Sequence, residues 1–476
     1  MESTTLKQYG LLIDHQWVET EEAMAVVNKS NQEDYAKISV ASKTHVDEAV
    51  TSAKKALEND WGPYDRYKVL SKTSALLLEN KEEIAQIITA EVGKPIKDAR
   101  VEVERAALTL EISAEEAKRI HGEGVPVESA PGSENRLAFT IKSPVGVVAA
   151  ITPFNVPLNL VCHKIGPALA AGNSVVLKPA EVTPICSLKL VELLLEAGLP
   201  HGRLQYVTGD GAVIGEAFLA HPDVNMLTFT GSPRVGELLK SKAGMKKVSL
   251  ELGNNSATVV HSDADLEKAS SLVVQKSFNS AGQVCISVQR VFVHKEVEAQ
   301  FLSLVKEKTE QLVTGDPFDD QTDVGPLIRL SEAERVEEWI NEALHEGAEL
   351  VTGGKRDGAY VQPTILKNVT SSMKVCKKEV FGPVFSIETY DDENEVIKKV
   401  NDSDYGLQAG LFTSSLSFAM KAAKKIHVGG VIVNDASMYR ADHMPYGGVK
   451  MSGSGKEGPK YAIEEMMEEK IIVFNL

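Results

Sequence analysis

The chain has 476 residues, of which 43% are hydrophobic and 25% charged, the proportions of a globular chain with room for several domains at roughly 100–200 residues each. A formal net charge of −16 argues against partners with phosphate backbones or anionic lipid surfaces, so neither nucleic acid nor membrane is expected. The four cysteines, Cys162, Cys186, Cys285 and Cys376, form no CxxC or His/Cys pattern, which excludes a disulfide scaffold and a zinc site, predicts no metal, and fits a reducing, cytoplasmic setting.

The opening residues lack a signal-peptide profile, and no stretch reaches ~18 uninterrupted apolar residues. Apolar residues three and four apart predict amphipathic helices over 46–57, 67–92 and 101–121. Over 122–143 Gly and Pro interrupt the helical pattern before it turns toward alternation, predicting an excursion outside the main domain. From Val145 short apolar runs alternate with helical stretches: VGVVAAITP, NSVVLKP, RLQYVTG, VNMLTFTG and KKVSLELG are strands, with helices across 163–171, 186–197 and from Ala212 and Pro233. Such βαβ units build a parallel sheet. A second alternating stretch runs from about residue 255 to 434. The fold class is therefore α/β, with two doubly wound domains. The tail EEKIIVFNL reads as a strand without a nearby partner in sequence, suited to a sheet edge of another subunit.

Gly453, Gly455 and Gly458 match G-x-G-x-x-G, but no strand precedes them and too few residues follow for a βαβ unit. A flexible turn near a substrate or subunit surface is the expectation. LTFTGSPRVGELL is the better phosphate candidate, because a strand ends at Gly231 and Ser232-Pro233 starts a helix whose first N–H groups lack partners.

Cys285, in FNSAGQVCISVQR, stands at a helix-to-strand junction approached through Gly282. There it is either a nucleophile or a small buried hydrophobe. Asn155 and Glu251 each follow an apolar strand, where open α/β sheets build sites. Asn offers donors to a developing oxyanion, and a Glu in apolar surroundings can act as a general base.

ITPFNVPLNL, LKPAEVTP, LTFTGSPRVG, ELGNNS, FNSAGQVCISVQR, EVFGPV and VNDASMYRADHMPYGGVKMSGSG, in this order, resemble the aldehyde dehydrogenase superfamily. The resemblance implies an NAD(P)-dependent oxidoreductase. Cys285 would attack an aldehyde, Asn155 and the Cys285 N–H would hold the oxyanion, and Glu251 would activate water to hydrolyse the thioester. Lys164 would relay protons near the centre. NAD is the implied cofactor, with NADP also accommodated: Lys178 and Glu181 at the adenosine ribose, Gly231 and Ser232 at the pyrophosphate, Thr152 and Pro153 at the neighbouring strand end, Glu379 at the nicotinamide ribose, and Phe381 beside the ring.

Arg105, His163, Arg440 and His443 would line the substrate tunnel and its mouth, suiting a small polar or anionic aldehyde such as lactaldehyde, glycolaldehyde, succinic semialdehyde or a phosphono- or sulfo-aldehyde. Val284 argues against a site built around a fully ionised phosphonate. The implied layout is a cofactor domain over 1–121 and 145–253, a catalytic domain over 254–455, and an oligomerisation element over 122–144 and 456–476, giving a dimer or tetramer. Rival readings are a CoA-acylating relative, which needs no hydrolytic base, and a cysteine hydrolase or acyltransferase without redox chemistry, which needs no cofactor residues.

Overall fold

The computed structural model describes residues 6–476. Eight strands make the first sheet, in the order Gly453–Ser454, Lys247–Glu251, Val224–Thr230, Val147–Ile151, Ser174–Lys178, Leu204–Tyr206, Leu11–Ile13 and Gln16–Val18. The five from Lys247–Glu251 to Leu204–Tyr206 run parallel. Val147–Ile151 and Ser174–Lys178 are buried at every position, as expected of strands covered by helices on both faces. From Val147–Ile151 the chain winds outward first to one side and then to the other. The switch point lies between that strand and Val224–Thr230, where open α/β sheets leave a crevice at the strand ends.

The second sheet has seven strands, in the order Glu349–Thr352, Thr364–Lys367, Val384–Tyr390, Arg290–His294, Ala257–Val260, Gln408–Phe412 and Gly430–Val433. All its pairings are parallel except that of Glu349–Thr352. Both doubly wound units expected from the alternation are present. A third, small antiparallel sheet joins Met467–Asn475 to Arg136–Pro144 and Gly124–Val125.

Several elements depart from the sequence-based expectation. The tail strand pairs along its whole length with Arg136–Pro144 of its own chain and forms the outer strand of that small sheet. The segment 67–92 is two helices, Pro63–Glu79 and Lys81–Val92, meeting at Asn80. Residues 6–39 hold five short strands that the helical periodicity of the first quarter did not suggest. The Gly453–Ser454 stretch, expected as a flexible turn, is a short strand antiparallel to Leu250–Glu251. A Cβ at Gly453 would lie 2.1 Å from the Leu250 carbonyl oxygen, so glycine is what permits this approach.

Helix starts follow local chemistry. Asp210 and Asp265 cap helices Gly211–Ala220 and Leu266–Phe278 with their carboxylates. Helix Pro184–Glu196 is capped from a distance, since the buried Glu91 carboxylate accepts from the Ile185 and Cys186 N–H groups at 2.7 and 3.0 Å. Among the described residues no helix is long and apolar enough to cross a membrane, and all four cysteines are free.

Candidate active site

Cys285 follows three residues held in the left-handed region, Ser280 (φ 49°), Ala281 (φ 54°) and Gly282 (φ 72°). Two of these are not glycine, a strain of about 1–3 kcal/mol each that persists only when the surroundings enforce it. A Cβ on Gly282 would sit 2.1 Å from the Gly382 carbonyl oxygen, so the turn packs backbone against backbone. The half-buried Cys285 lies among Ile286, Leu407, Tyr446, Val284, Met438 and Met444. Its Sγ is 3.1 Å from the Tyr446 hydroxyl. Burial pushes the thiol up to about 12, with the Tyr446 hydrogen bond and the Arg440 charge opposing and the Glu379 and Glu251 charges adding to the rise.

The buried Asn155 donates its Nδ2 to the Gln283 carbonyl at 2.8 Å, which places its amide beside the turn that carries Cys285. Glu251 ends its strand buried, with neither carboxylate oxygen hydrogen-bonded among the described residues. Burial, and then the neighbouring Glu457 carboxylate, push its carboxyl well above the usual range.

Helix Asn159–Ala170 supplies His163 and Lys164. Its first turn is fixed by the buried Glu102, which accepts from the Leu158 and Asn159 N–H groups at 2.9 and 3.3 Å and pairs with Lys94. Lys164 reaches Glu457 and Thr228, both at 3.2 Å. Arg440 reaches the other Glu457 oxygen at 2.8 Å. Burial would raise the Glu457 carboxyl, but Lys164 and Arg440 outweigh it and hold the group at about 2.

Asp442 gathers the remaining expected tunnel residues. Arg105 binds it through Nε at 3.0 Å and Nη2 at 2.7 Å, while His163 Nε2 and Asn159 Nδ2 each stand 3.0 Å away. Burial opposes the charge, yet His163 and Arg105 hold the Asp442 carboxyl far below the carboxylate range. His163 is itself pushed down by burial and by the Arg440 charge. His443, one residue on, is exposed.

The crevice at the switch point carries the residues expected to meet a dinucleotide. Thr152 has a buried hydroxyl without a hydrogen-bond partner among the described residues. Pro153 is half-buried beside it. Across the crevice Gly231 approaches the Phe229 ring so closely that a Cβ would lie 2.5 Å from it, and the exposed Ser232 precedes helix Pro233–Lys242 without a side-chain cap. Lys178 Nζ stands 3.4 Å from Glu181 Oε1, which also accepts from the Gly211 N–H at 2.8 Å.

On the other sheet's side, Glu379 accepts from the Asn254 N–H at 3.0 Å and is pushed up to about 7 by burial. Phe381, in the left-handed region (φ 49°), meets Phe154 edge-on at 5.8 Å. An unpartnered hydroxyl, a glycine passage, an uncapped helix start and acceptors suited to ribose hydroxyls together fit a nicotinamide dinucleotide.

Sequence patterns match the aldehyde dehydrogenase family over residues 17–472. The chain belongs to that family. It is 70% identical over 473 residues to a 3-sulfolactaldehyde dehydrogenase of Priestia aryabhattai, covering 99% of each chain. To a lactaldehyde dehydrogenase of Methanococcus maripaludis it is 41% identical, covering 98% of this chain and 100% of that one. Among solved structures, the NADP-dependent glyceraldehyde-3-phosphate dehydrogenase of Bacillus halodurans complexed with NADP superposes with a TM-score of 0.96 at 39% identity, covering 98% of this chain and 99% of that one. This family member is thus an enzyme that oxidises an aldehyde with a nicotinamide cofactor, NAD or NADP. Asp442, Tyr446 and Glu457, which complete the site, carried no signal of their own in the sequence. The first two lie inside the block VNDASMYRADHMPYGGVKMSGSG, and the third lies just past it.

Proposed function

We propose that this chain oxidises a small anionic aldehyde, with 3-sulfolactaldehyde as the foremost candidate, through a thioester on Cys285. The carrying observation is the buried, unpartnered Glu251 within electrostatic reach of Cys285. A carboxylate with no fixed partner is free to take a proton from water, which a CoA-acylating enzyme would not require. The 70% identity to a 3-sulfolactaldehyde dehydrogenase supports the substrate. Arg105, His163 and His443 supply the cationic and hydrogen-bonding groups that suit a sulfonate, while Arg440 is turned to Glu457, and Val284 beside the nucleophile suits a singly charged group better than a doubly charged one.

In the proposed mechanism the Cys285 thiolate adds to the aldehyde carbon, and the Asn155 Nδ2 and Cys285 N–H donate to the resulting oxyanion. The chemistry that a bound nicotinamide supplies is hydride acceptance, which leaves a thioester on Cys285. Glu251 then deprotonates the water that cleaves it, and Lys164 with Glu457 provides an outlet for the proton. Thr152, Pro153, Lys178, Glu181, Gly231, Ser232, Glu379 and Phe381 hold the cofactor, within the cofactor domain over 1–121 and 145–253 and its seam with the catalytic domain over 254–455. The element over 122–144 and 456–476 joins subunits into a dimer or tetramer. Free thiols throughout suit a cytoplasmic enzyme.

Cofactor reduction with 3-sulfolactaldehyde, lactaldehyde and glyceraldehyde 3-phosphate tests this, with Cys285→Ala as control. A kcat/KM for 3-sulfolactaldehyde at least about tenfold above that for lactaldehyde is expected, the margin of one well-made charged contact. Equal values would remove the sulfonate from the proposal, and activity surviving in Cys285→Ala would remove the mechanism.

A further inference from the structure

We propose that Arg440 is a positioning residue that ties the nucleophile to the base, its guanidinium face held on the ring of Tyr446 and its edge on the carboxylate of Glu457, rather than the counter-ion of the substrate. This rests on Cys285 and Glu251 acting as nucleophile and base.

Three contacts close a unit around Arg440. Its guanidinium carbon lies 3.9 Å from the Tyr446 ring centroid, and its Nη2 lies 2.8 Å from Glu457 Oε2. The backbones of Tyr446 and Glu457 are themselves bridged, the Glu457 N–H donating to the Tyr446 carbonyl at 2.6 Å and the Tyr446 N–H to the Glu457 carbonyl at 3.1 Å. Ring, carboxylate and guanidinium therefore cannot shift independently. The Arg440 side chain is only 7% exposed, so the stack and the ion pair both operate in a desolvated setting where each is strengthened. The ends of the unit reach the chemistry: the Tyr446 hydroxyl is 3.1 Å from Cys285 Sγ, and Glu457 is the carboxylate beside Glu251.

Arg440 gives its Nη2 to Glu457 and its face to Tyr446, while its buried Nε has no partner among the described residues, so a bidentate grip on an anionic substrate would have to share the donor that holds Glu457. Losing that partner costs more than an exposed pair would. Arg105 is also held on a buried carboxylate, Asp442, through Nε and Nη2, but that carboxylate lies outside the reacting pair, and the Nη1 edge of its more exposed side chain has no hydrogen bond among the described residues.

The charged groups around the reacting pair set the direction of the effect. Glu251 faces Glu457, Lys164, Arg440 and Lys456. Cys285 faces Tyr446, Glu379, Arg440 and Glu251. Glu457 faces Lys164, Arg440 and His163. The Arg440 charge favours both the thiolate and the Glu251 carboxylate, so its removal raises both groups and moves any rate that needs their ionised forms to higher pH.

Arg440→Gln and Arg440→Lys test this through two readouts: the pH dependence of iodoacetamide alkylation of Cys285 in the cofactor-free protein, and the pH profile of kcat with one anionic and one neutral aldehyde of similar size. For Arg440→Gln the alkylation midpoint and the acid limb of kcat should move up by about one pH unit, with kcat falling about tenfold on both aldehydes and their KM ratio changing less than about twofold. Arg440→Lys restores the charge but not the planar stack, so it should recover the kcat limb and only part of the alkylation shift, the remainder reporting the loss of the hold on the Tyr446 ring. Should the Gln variant not fold, Tyr446→Phe carries the test. It keeps the ring, loses the hydroxyl, and should reproduce the alkylation shift without adding to that of Arg440→Lys.

A KM increase confined to the anionic aldehyde, with unmoved pH profiles, would make Arg440 the counter-ion and overturn the proposal. Unmoved alkylation in both Arg440→Lys and Tyr446→Phe would overturn it as well. Activity surviving in Cys285→Ala would instead overturn the mechanism on which it rests.

Discussion

Arg105 grips Asp442 through two hydrogen bonds of 3.0 and 2.7 Å, a fork-to-carboxylate pairing that joins the helix Ile96–Ala117 to the loop over 434–449. The same carboxylate meets His163 and Asn159, so this ion pair orders three side chains around one charge. In Arg105→Ala the fork is lost and Asp442 keeps two weaker partners. KM for an anionic aldehyde should rise about tenfold and for a neutral one of similar size less than about threefold, as measured by steady-state kinetics, the difference expected of a charge-assisted contact. Equal increases would assign Arg105 to holding the loop alone.

Glu251→Gln keeps the shape of the base and removes its proton-accepting capacity. A kcat loss of about 10²- to 10⁴-fold is expected, with an acyl-enzyme on Cys285 visible by intact-protein mass spectrometry. The pH dependence follows from the sign of the shift. Burial and Glu457 raise the Glu251 carboxyl, so below its raised pKa it is protonated and cannot take a proton from water. Thioester hydrolysis in the unaltered enzyme should therefore climb with pH through that pKa and level off above it, and the variant should lack this limb.

Gly282→Ala tests the strained approach to the nucleophile. The added methyl would fall 2.1 Å from the Gly382 oxygen in a left-handed backbone, so the turn must move. Because Cys285 stands three residues on, a displacement near 1 Å should lower kcat about 100-fold, while circular dichroism shows the helices retained. Unchanged kcat would mean that the turn does not aim the thiol.

Glu181 stands between Lys178 and the Gly211 N–H, and in the proposed cofactor site its charge would repel a 2′-phosphate. Glu181→Gln should raise kcat/KM for NADP relative to NAD by about tenfold, from relief of like-charge repulsion and release of Lys178. Steady-state comparison of the two cofactors checks it.

The small sheet carries exposed apolar side chains on both faces, Leu137, Ile141 and Phe474 on one and Ile471 and Val473 on the other. A sheet this size with no core of its own needs cover. Phe474→Glu with Ile471→Asp should yield monomers in analytical ultracentrifugation, and an unchanged sedimentation coefficient would place subunit contacts elsewhere.

The two wound sheets were legible because each buried strand is a short apolar run punctuated by Gly or Pro, a signal carried locally. Cys285, Asn155 and Glu251 stood out for the same reason, each at the end or start of such a run. The strands before residue 40 were missed because they are short and mostly partly exposed, as in Gln16–Val18, and pair chiefly with one another, only Leu11–Ile13 reaching a distant strand, Leu204–Tyr206. Asp442, Tyr446 and Glu457 were missed because what matters about them is their neighbours. An aspartate in a loop acquires its role only when Arg105 and His163, hundreds of residues earlier, fold against it.

The antiparallel contact of Gly453–Ser454 with Leu250–Glu251 has a temporal meaning for a chain emerging from the ribosome. Until residues 453–454 appear, the strand ending in Glu251 is the bare rim of its sheet, and Arg440, Tyr446 and Glu457 are made only at about the same time. The reacting groups thus remain unassembled through most of synthesis, because a pairing that spans roughly 200 residues forms late in any folding order governed by loop closure. A truncated nascent chain would carry the cysteine and the carboxylate, yet it would lack the setting that makes them a catalyst.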